Sequence, residues 1–383
     1  TDLQDTNTSR HTWIDGLRLC AGVSMVGLHA TSNSAGLPFP EATAAERIAP
    51  MLLRAVLYMA RTELFLLISV FLLLLSLDRR PRGYRATMAQ QARRLLPPFV
   101  FWTLFYAIYN LLKAGAFNYH PQALTQLTDP VAWAGFLLLG DVKYHMHFIP
   151  TLLGFLLLYP LVLAAVTRPW MGLLVVFGLL AKWHLDAWAY STLWDSPSLP
   201  YVLRAIKILS YSGYGFAAAA LAGLWLRHGS KLAKQTLWPL LTICIVFALV
   251  LLGLKLQAMV IVIQTGAWAY GNEPGYWADF LMPLVLMSLT MLLCGRNWPE
   301  KLSVWAPYSF GIYLCHPTFL DLAEICIPAS WSPTQHVAAK IAFTLPMTIC
   351  LIRTIARSRH LGWTIGLGPL PQFTVPKRQS LRP

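Results

Sequence analysis

The chain has 383 residues, of which 56% are hydrophobic and 12% are charged. A soluble domain carries charged side chains at about a quarter of its positions, so this composition excludes a soluble globular protein. The formal net charge of +14 would suit a nucleic-acid-binding protein, unless the cations lie in loops beside a membrane. Apolar stretches such as 64–77 and 239–256 recur along the chain, and about 20 apolar residues cross a bilayer as a helix. The sequence therefore predicts a polytopic membrane protein.

The apolar stretches predict an all-α fold, a membrane helical bundle of about ten transmembrane helices that occupies residues 13–356. The predicted spans are residues 13–31, 52–77, 95–117, 145–166, 169–188, 202–226, 236–263, 277–294, 304–327 and 336–356. We expect a cytoplasmic N-terminal segment, residues 1–12, before the bundle and a basic cytoplasmic tail, residues 357–383, after it.

Alternate connections between the predicted spans differ in charge. One set contains acidic residues such as Glu41, Asp129 and Glu273, with few cations. The other set is basic and consists of residues 78–94, Arg168, 227–234, 296–301 and the tail from Arg353. Because cytoplasmic loops are enriched in Lys and Arg, we expect the basic set and both termini in the cytoplasm. The net charge then reflects membrane topology, so the expected partner is the lipid bilayer and no nucleic acid is expected.

The first predicted span, WIDGLRLCAGVSMVGLH, carries Arg18 near its start and His29 near its far end. Eleven residues of helix rise by about 17 Å, which places His29 beyond the midplane of the bilayer. The same eleven steps of about 100° make three turns plus about 20°, so both side chains lie on one face. One face of this helix can therefore contact a molecule at two depths in the membrane.

Ionisable side chains at membrane depth are costly and usually face an internal cavity, so each one is a candidate functional residue. Glu63 is expected near mid-depth, roughly level with His29, and Arg61 precedes it by two residues. His316 is also expected near mid-depth, directly before Pro317. Structural alternatives stay open, because Arg61 and Glu63 could form an internal ion pair and His316 could bind backbone groups that Pro317 loosens.

Two further pairs of residues lie near the predicted membrane boundaries. His145 and His147 are expected at the outer boundary, where they could bind substrate or be merely interfacial. Arg93 and Arg94 precede the third span on the cytoplasmic side, where they could bind an anion or only determine topology. The cysteines show no CxxC or CxH spacing, so no metal site is predicted.

A neutral imidazole half-way across a membrane suits general-base activation of a hydroxyl group. A carboxylate such as Glu63 could orient the ring of His29 and stabilise the imidazolium that forms. Arginines on the cytoplasmic side suit the phosphates of a thioester carrier, because guanidinium groups bind phosphate in a bidentate way. These residues indicate transfer of an acyl group from a cytoplasmic thioester to a hydroxyl group.

Five phrases occur in order over most of the chain. They are WIDGLRLCAGVSMVGLH, LFLLISVFLLLL, ARRLLPPFVFW, HMHFIPTLLGFLLLYP and SFGIYLCHP. In these phrases the chain resembles the acyltransferase-3 family of integral membrane acyltransferases. The resemblance implies transfer of an acyl group from cytoplasmic acyl-CoA, the donor substrate, to a carbohydrate or other acceptor on the outer side, without a permanently bound cofactor. It also implies a bacterial inner (plasma) membrane and a glycan acceptor on the periplasmic side.

The resemblance also implies roles for individual residues. It assigns catalysis to His29, makes Arg18 its partner in the motif, and assigns acyl-CoA binding to Arg93 and Arg94. Gln91 stands where the family often has the first of two arginines, which puts the carry-over of the arginine pair in doubt. Substrate binding is the expectation for the remaining candidates, Arg61, His145, His147 and His316.

The acyl group stays open between acetyl, the family default, and succinyl. The free carboxylate of a succinyl group would need a fixed cation at membrane depth. Cations expected toward the outer half are Arg47, Arg54, Arg61, Lys143, Lys182 and Lys255. Because some family members succinylate periplasmic glucans, succinylation is mildly favoured. Equally, these cations could extend to the lipid headgroups and bind no substrate.

A proton-coupled transporter is the alternative function, since it would also place Glu, His and Arg in the membrane. Many such transporters consist of two related halves, and the sequence shows no internal repeat. A non-catalytic membrane scaffold is a weaker alternative, because it would not need several buried ionisable groups.

Overall fold

The computed structural model describes residues 11–229, 237–328, 330–368 and 370. Every regular element in these ranges is helical, as the composition predicts. The α-helices are α1 (Thr12–Ala30), α2 (Ala44–Leu57), α3 (Thr62–Arg79), α4 (Tyr84–Ala116), α5 (His120–Thr128), α6 (Pro130–Leu138), α7 (Phe148–Leu157), α8 (Tyr159–Val162), α9 (Ala164–Thr167), α10 (Leu174–Leu193), α11 (Leu199–Ser210), α12 (Ser212–His228), α13 (Leu237–Thr265), α14 (Glu273–Leu292), α15 (Lys301–Trp305), α16 (Ser309–Cys326) and α17 (Pro333–Arg357). Short 3-10 helices lie at Pro169–Leu173, Ala306–Tyr308 and Gly362–Ile365.

Length and hydropathy identify six helical segments in the described ranges that can cross a membrane. They are Ala44–Arg79, Tyr84–Ala116, Pro169–Leu193, Trp238–Thr265, Glu273–Leu292 and Pro333–Arg357. A seventh candidate forms if Phe148–Leu157 and Tyr159–Thr167, which are bent by 61°, count as one span. The chain is an integral membrane protein, and the predicted number of ten spans and the predicted orientation of the termini are not confirmed.

Helices α1 and α16 are not among these candidate spans. Both carry ionisable side chains that lower their hydropathy, Asp15, Arg18 and His29 in α1 and His316 and Asp321 in α16. The two helices pack against each other, and most of their residues are buried. Polar side chains are tolerated here because neighbouring helices, and not lipid, surround them.

Several of the predicted spans are interrupted in the structure. The predicted span 145–166 is bent by 61° between Phe148–Leu157 and Tyr159–Thr167. The predicted span 52–77 consists of two helices, because α2 ends at Leu57 and α3 begins only at Thr62. The predicted span 202–226 is likewise divided at Tyr211, between α11 and α12. Apolar composition predicts how far a span extends along the chain. It does not predict where the helix is interrupted inside the span, because tertiary contacts of polar groups stabilise the interruption.

Two names distinguish the ends of the bundle. We call the end that contains residues 80–94 the basic end and the end that contains residues 266–272 the opposite end. At the opposite end, a capping box starts α2, in which the Glu46 carboxylate accepts a hydrogen bond from the Thr43 amide at 2.8 Å. These reciprocal bonds satisfy backbone amides at the helix start and determine where α2 begins.

The described part of the predicted tail packs against the bundle. The indole Nε1 of Trp102 donates to the carbonyl oxygen of Thr364 at 2.8 Å. Thr364 and Ile365 are both buried. The predicted boundary at residue 357 therefore does not mark the end of the packed structure, while residues 1–10 and 371–383 lie outside the described residues.

Candidate active site

Three histidines from distant parts of the sequence meet inside the bundle. His29 comes from α1, His316 from α16 and His145 from the loop before α7, and we call these three residues the histidine cluster. The rings of His29 and His316 are stacked with centroids 5.6 Å apart, and those of His145 and His316 lie 5.3 Å apart. Tyr144 covers His29 with its ring centroid at 4.3 Å. The structure thus brings together three of the predicted site residues.

Ring nitrogens of the histidine cluster are buried without hydrogen-bond partners. These atoms are Nε2 of His29, Nε2 of His316 and both ring nitrogens of His145. Nδ1 of His316 donates to the carbonyl oxygen of Ile312 at 3.0 Å, since a carbonyl can only accept. In the neutral ring, Nε2 of His316 therefore carries a lone pair. No group of three or more His, Cys, Asp or Glu residues that could hold a metal ion occurs in the described ranges.

The sequence left open that His316 only binds backbone groups near Pro317, and this holds for one of its two ring nitrogens. Nδ1 binds a backbone carbonyl in the helical turn before Pro317, as that alternative expects. The other nitrogen, Nε2, is buried without a hydrogen-bond partner. A buried polar atom without a partner is costly in a folded protein, so its persistence suggests a functional use.

Glu63 does not pair with His29, contrary to the predicted dyad. Its Oε1 accepts a hydrogen bond from the Tyr211 hydroxyl at 2.5 Å, and its Oε2 lies 3.2 Å from Nε of Arg61. Arg61 also lies 3.8 Å from the Asp279 carboxylate. The internal ion pair that the sequence left open is therefore formed, and the carboxylate that was expected to orient His29 faces Tyr211 and Arg61 instead.

His147 is two residues from His145 but has different neighbours. It stands at the start of α7, where its carbonyl oxygen accepts from Nη1 of Arg204 at 3.0 Å. The ring contacts of the histidine cluster do not include His147. Within the described residues, His145 therefore belongs to the histidine cluster and His147 does not.

A network of charged residues lies beside the histidine cluster, toward the opposite end. Lys113 contacts Asp321 at 3.0 Å and Glu324 at 2.6 Å, Lys143 contacts Asp321 at 2.5 Å, and Lys340 contacts Glu324 at 3.0 Å. We call these five residues the lysine–carboxylate network. All five side chains are largely buried, so each charge depends on its partners for stabilisation.

The network is joined to the histidine cluster through the chain itself. Lys143 directly precedes Tyr144, and Lys340 donates a hydrogen bond to the carbonyl oxygen of Ser32, just beyond α1. These contacts hold the loop before α7 and the end of α1 in place. The positions of Tyr144 and His29 therefore depend on the network.

A cavity of about 190 Å³ opens at the basic end, and we call it the basic cavity. Its polar part is lined by Arg18, Arg82, Arg94, Gln90 and Gln91. Arg18 and Arg94 were predicted to bind acyl-CoA, and they do share one cavity. Arg82 was not predicted as a site residue, because the positive charge of its loop indicated only a cytoplasmic location.

Arg93 differs from its neighbour Arg94. Both residues are exposed, but Arg94 lines the basic cavity and Arg93 does not. Gln91, at the position where the resembled family often has an arginine, does line it. Arg82 supplies a further cation instead, with Nη2 donating to Oγ of Ser76 at 2.6 Å and with Nε buried without a partner.

The inner part of the basic cavity is apolar and ends at an aromatic layer. Phe65, Phe148 and Tyr313 line this part, and the ring of Tyr313 packs on Phe148 with centroids 5.5 Å apart. The Tyr313 hydroxyl donates to the carbonyl oxygen of His145. One layer of aromatic rings therefore separates the basic cavity from the histidine cluster, and His29 itself does not line the cavity.

A match to a family model spans both the basic cavity and the histidine cluster. The matched family is described as an acyltransferase domain, acyltransferase-3 type, and the match covers residues 11–353. The chain belongs to the acyltransferase-3 family. No curated protein and no solved structure matches it. The protein is thus a membrane acyltransferase, and the comparisons give no support to the transporter alternative.

A second cavity, of about 260 Å³, lies in this acyltransferase at the opposite end, and we call it the aromatic pocket. Its rings include Tyr58, Trp183, Trp268 and Tyr276. Arg54 lies over the Trp268 ring at 4.1 Å and over the Tyr58 ring at 5.2 Å. The sequence did not reveal this pocket, because its rings come from four separate helices and loops.

Most of the cations considered for a succinyl carboxylate have partners within the acyltransferase. Arg61, Lys143, Lys182 and Lys255 each form an ion pair with an Asp or Glu residue. Arg47 donates to the carbonyl oxygens of residues 42 and 43. Of the six, only Arg54 both lines the aromatic pocket and lacks a carboxylate partner among the described residues.

Proposed function

We propose that this acyltransferase moves an acyl group from acyl-CoA, bound at the basic end, to a hydroxyl group of a glycan that approaches from the opposite end. The observation that carries the proposal is the alignment of the basic cavity with the histidine cluster through Tyr313. The charge of the loops supports a cytoplasmic basic end and, in a bacterium, a periplasmic opposite end in the inner membrane.

The donor is bound by charge at the cavity mouth and by apolar contact deeper inside. Arg18, Arg82 and Arg94 suit the phosphates of CoA, because guanidinium groups bind phosphate oxygens in pairs. The apolar part of the cavity suits the pantetheine arm, which carries the thioester inward. A shift of the Tyr313 and Phe65 rings would then bring the thioester to the histidine cluster.

His29 is the proposed general base. As the acceptor oxygen bonds to the thioester carbon, its proton passes to His29, and the carbon–sulfur bond breaks to release CoA. His29 then returns the proton to the CoA thiolate, so the reaction needs no other reactant. His316 replaces Glu63 in the proposed mechanism, because its Nε2 lone pair lies in the same cluster and the Glu63 carboxylate is engaged elsewhere.

Acetyl is the acyl group that we propose first, ahead of succinyl. A succinyl carboxylate next to His29 would need a cation that is not already neutralised. Lys143, the candidate cation nearest in sequence to the histidine cluster, is bound to Asp321 at 2.5 Å. Arg54, which lacks a carboxylate partner among the described residues, lines the aromatic pocket on the acceptor side, so we do not assign it to the donor. Measuring acetyl-CoA and succinyl-CoA side by side as donors decides between the two, and faster turnover with succinyl-CoA would overturn this order.

The test of the proposed function is acceptor-dependent release of CoA by the purified full chain in lipid nanodiscs. Free thiol is measured with acyl-CoA alone and with added glucose oligosaccharides. The His29→Ala variant should lower the rate by about 100-fold or more, the usual contribution of a general base. His120→Ala is the matched control, because His120 is exposed and distant in sequence from the cluster.

Two outcomes would contradict the proposal. The first is an unchanged rate in a folded His29→Ala protein. The second is uptake of a substrate without any release of CoA thiol, because a transporter moves its cargo unchanged while an acyltransferase releases one thiol for each ester formed.

A further inference from the structure

The aromatic pocket contains a cation whose bonding capacity is only partly used. Nη1 of Arg54 donates to the carbonyl oxygen of Leu28 at 2.8 Å and to Oγ1 of Thr31 at 3.1 Å. In the described part of the chain, Arg54 has no carboxylate partner. None of its nitrogens is both buried and unbonded, so those that make no hydrogen bond are exposed. Its remaining donors are therefore accessible from the pocket.

The other charges at the pocket neutralise one another. Lys255 lies 2.6 Å and Arg61 3.8 Å from the Asp279 carboxylate, and Arg61 is also paired with Glu63 at 3.2 Å. Two cations thus face two carboxylates. The charge of Arg54 remains uncompensated, so the pocket attracts an anion.

The rings around Arg54 determine the shape of the ligand. Trp268 and Tyr58 lie against the guanidinium group, and Nη1 is bonded to α1, which leaves the rest of its planar edge for a carboxylate or phosphate. On the other wall, the rings of Trp183 and Tyr276 lie 4.8 Å apart in an edge-to-face contact. Aromatic walls with a few polar groups suit a ligand with both apolar C–H faces and hydroxyl groups, which is the chemistry of a sugar ring.

The pocket also adjoins the helix that carries the proposed base. Leu28, whose carbonyl oxygen binds Arg54, directly precedes His29. The volume of about 260 Å³ lies near the lower limit of ligand pockets, which suits one sugar unit and not a whole oligosaccharide. A ligand held by Arg54 would thus be anchored beside the end of α1.

We infer that the aromatic pocket binds one sugar unit of the acceptor that carries a carboxylate or phosphate group. Arg54 binds the anionic group, and Trp268 and Tyr58 flank it. This inference rests on the proposed function for the identity of the acceptor, but the pocket and its charge do not depend on any catalytic step.

Calorimetric titration of the full chain in zwitterionic nanodiscs, without acyl-CoA, tests the inference. The probes are a glucuronate-terminated trisaccharide, its neutral glucose-terminated analogue, and glycerol 3-phosphate, which represents a lipid headgroup. The charged trisaccharide should bind at least about tenfold more tightly than the neutral one, because one charge-assisted hydrogen-bond pair contributes that much.

Three variants make the test specific. Arg54→Gln should abolish the preference for the charged trisaccharide, and Arg54→Lys should retain part of it. Trp268→Ala should weaken both trisaccharides without altering the bonds that Arg54 makes to α1. Trp194→Ala is the control, because Trp194 is 71% exposed and does not line the pocket.

The possible results distinguish failure of this inference from failure of the proposed acyl transfer. Equal affinity for both trisaccharides, or an Arg54→Gln protein with an unchanged preference, would overturn the inference. Glycerol 3-phosphate binding as tightly as the charged trisaccharide would assign the pocket to a lipid headgroup and would also overturn it. Preferential binding of the charged trisaccharide supports the inference even if acyl transfer fails, since no acyl-CoA is present.

Discussion

The imidazole ring of His316 is stacked against that of His29, with centroids 5.6 Å apart and planes inclined by 21°. Ile312 holds Nδ1 of His316 at 3.0 Å and so leaves the lone pair on Nε2 in the neutral ring. The proposed mechanism assigns to this lone pair the stabilisation of the positive charge that develops when His29 accepts a proton. In that proposal His316 is a positioning residue for the base.

Substituting His316 by Phe should lower kcat by about tenfold and leave KM for acyl-CoA unchanged. The new ring can still stack on His29, but it offers no lone pair to the developing imidazolium. Steady-state CoA release measures both constants. A drop in thermal stability with normal kcat would instead mean that His316 serves only to bind Ile312.

Substituting Arg82 or Arg94 by Gln should raise KM for acyl-CoA by about tenfold, because each variant removes a charged donor from the mouth of the basic cavity. The neighbouring Arg93 provides a matched control, since it carries the same charge but does not line the cavity. Kinetics at several acyl-CoA concentrations should show a much smaller effect for Arg93→Gln. Equal effects in all three variants would mean that only the general charge of this loop matters.

The sequence alone was sufficient to predict that Arg18 and His29 lie near opposite ends of α1. Arg18 lines the basic cavity and His29 belongs to the histidine cluster, so the two residues lie at different depths along α1, as their spacing predicts. Helix geometry is local, so eleven residues determine both rise and rotation without knowledge of any neighbour. His145 and His316 were found as candidates for a simpler reason, because ionisable groups are rare at membrane depth.

The remaining features depended on tertiary contacts that no local pattern encodes. Depth along the membrane placed Glu63 level with His29, but the break before α3 turns Glu63 toward Tyr211 and Arg61. Arg82 lies in a loop whose charge alone suggested a topology signal, and only packing shows that it lines a cavity. Depth can be computed from a sequence, whereas rotation about the helix axis and the path of a loop cannot.

Substituting Glu63 by Gln distinguishes the observed ion pair from the predicted catalytic dyad. Gln keeps the shape and an acceptor for the Tyr211 hydroxyl, but it leaves Arg61 with only the Asp279 carboxylate at 3.8 Å. Breaking a buried pair costs about 3 kcal/mol, so the free energy of unfolding should fall by that amount. Denaturant titration in detergent measures it, with the exposed Glu41→Gln as control.

The kinetic result for Glu63→Gln is equally specific. Because Glu63 has no contact with the histidine cluster among its described contacts, kcat per folded molecule should fall less than about threefold. A loss of about 100-fold or more at unchanged stability would restore the predicted dyad with His29 and contradict the structural assignment.

Asp321 is the carboxylate of the lysine–carboxylate network that contacts both Lys113 and Lys143. Substituting it by Asn should lower the free energy of unfolding by about 3 kcal/mol, since Lys143 would remain buried with neutral amide oxygens, such as that of Asn110, and no carboxylate as partner. Asp195→Asn is a suitable control, because Asp195 is exposed.

The same variant should also reduce catalysis, since Lys143 holds the loop that carries Tyr144 against His29. Adding Lys143→Met to Asp321→Asn removes the unpaired charge and should restore part of the stability, which a double-mutant cycle measures as a coupling of about 1 kcal/mol or more. Activity should stay low in the double variant, because the loop has then lost its ion pair. Independent, additive losses from the two substitutions would show that the Lys143–Asp321 contact contributes nothing to the fold.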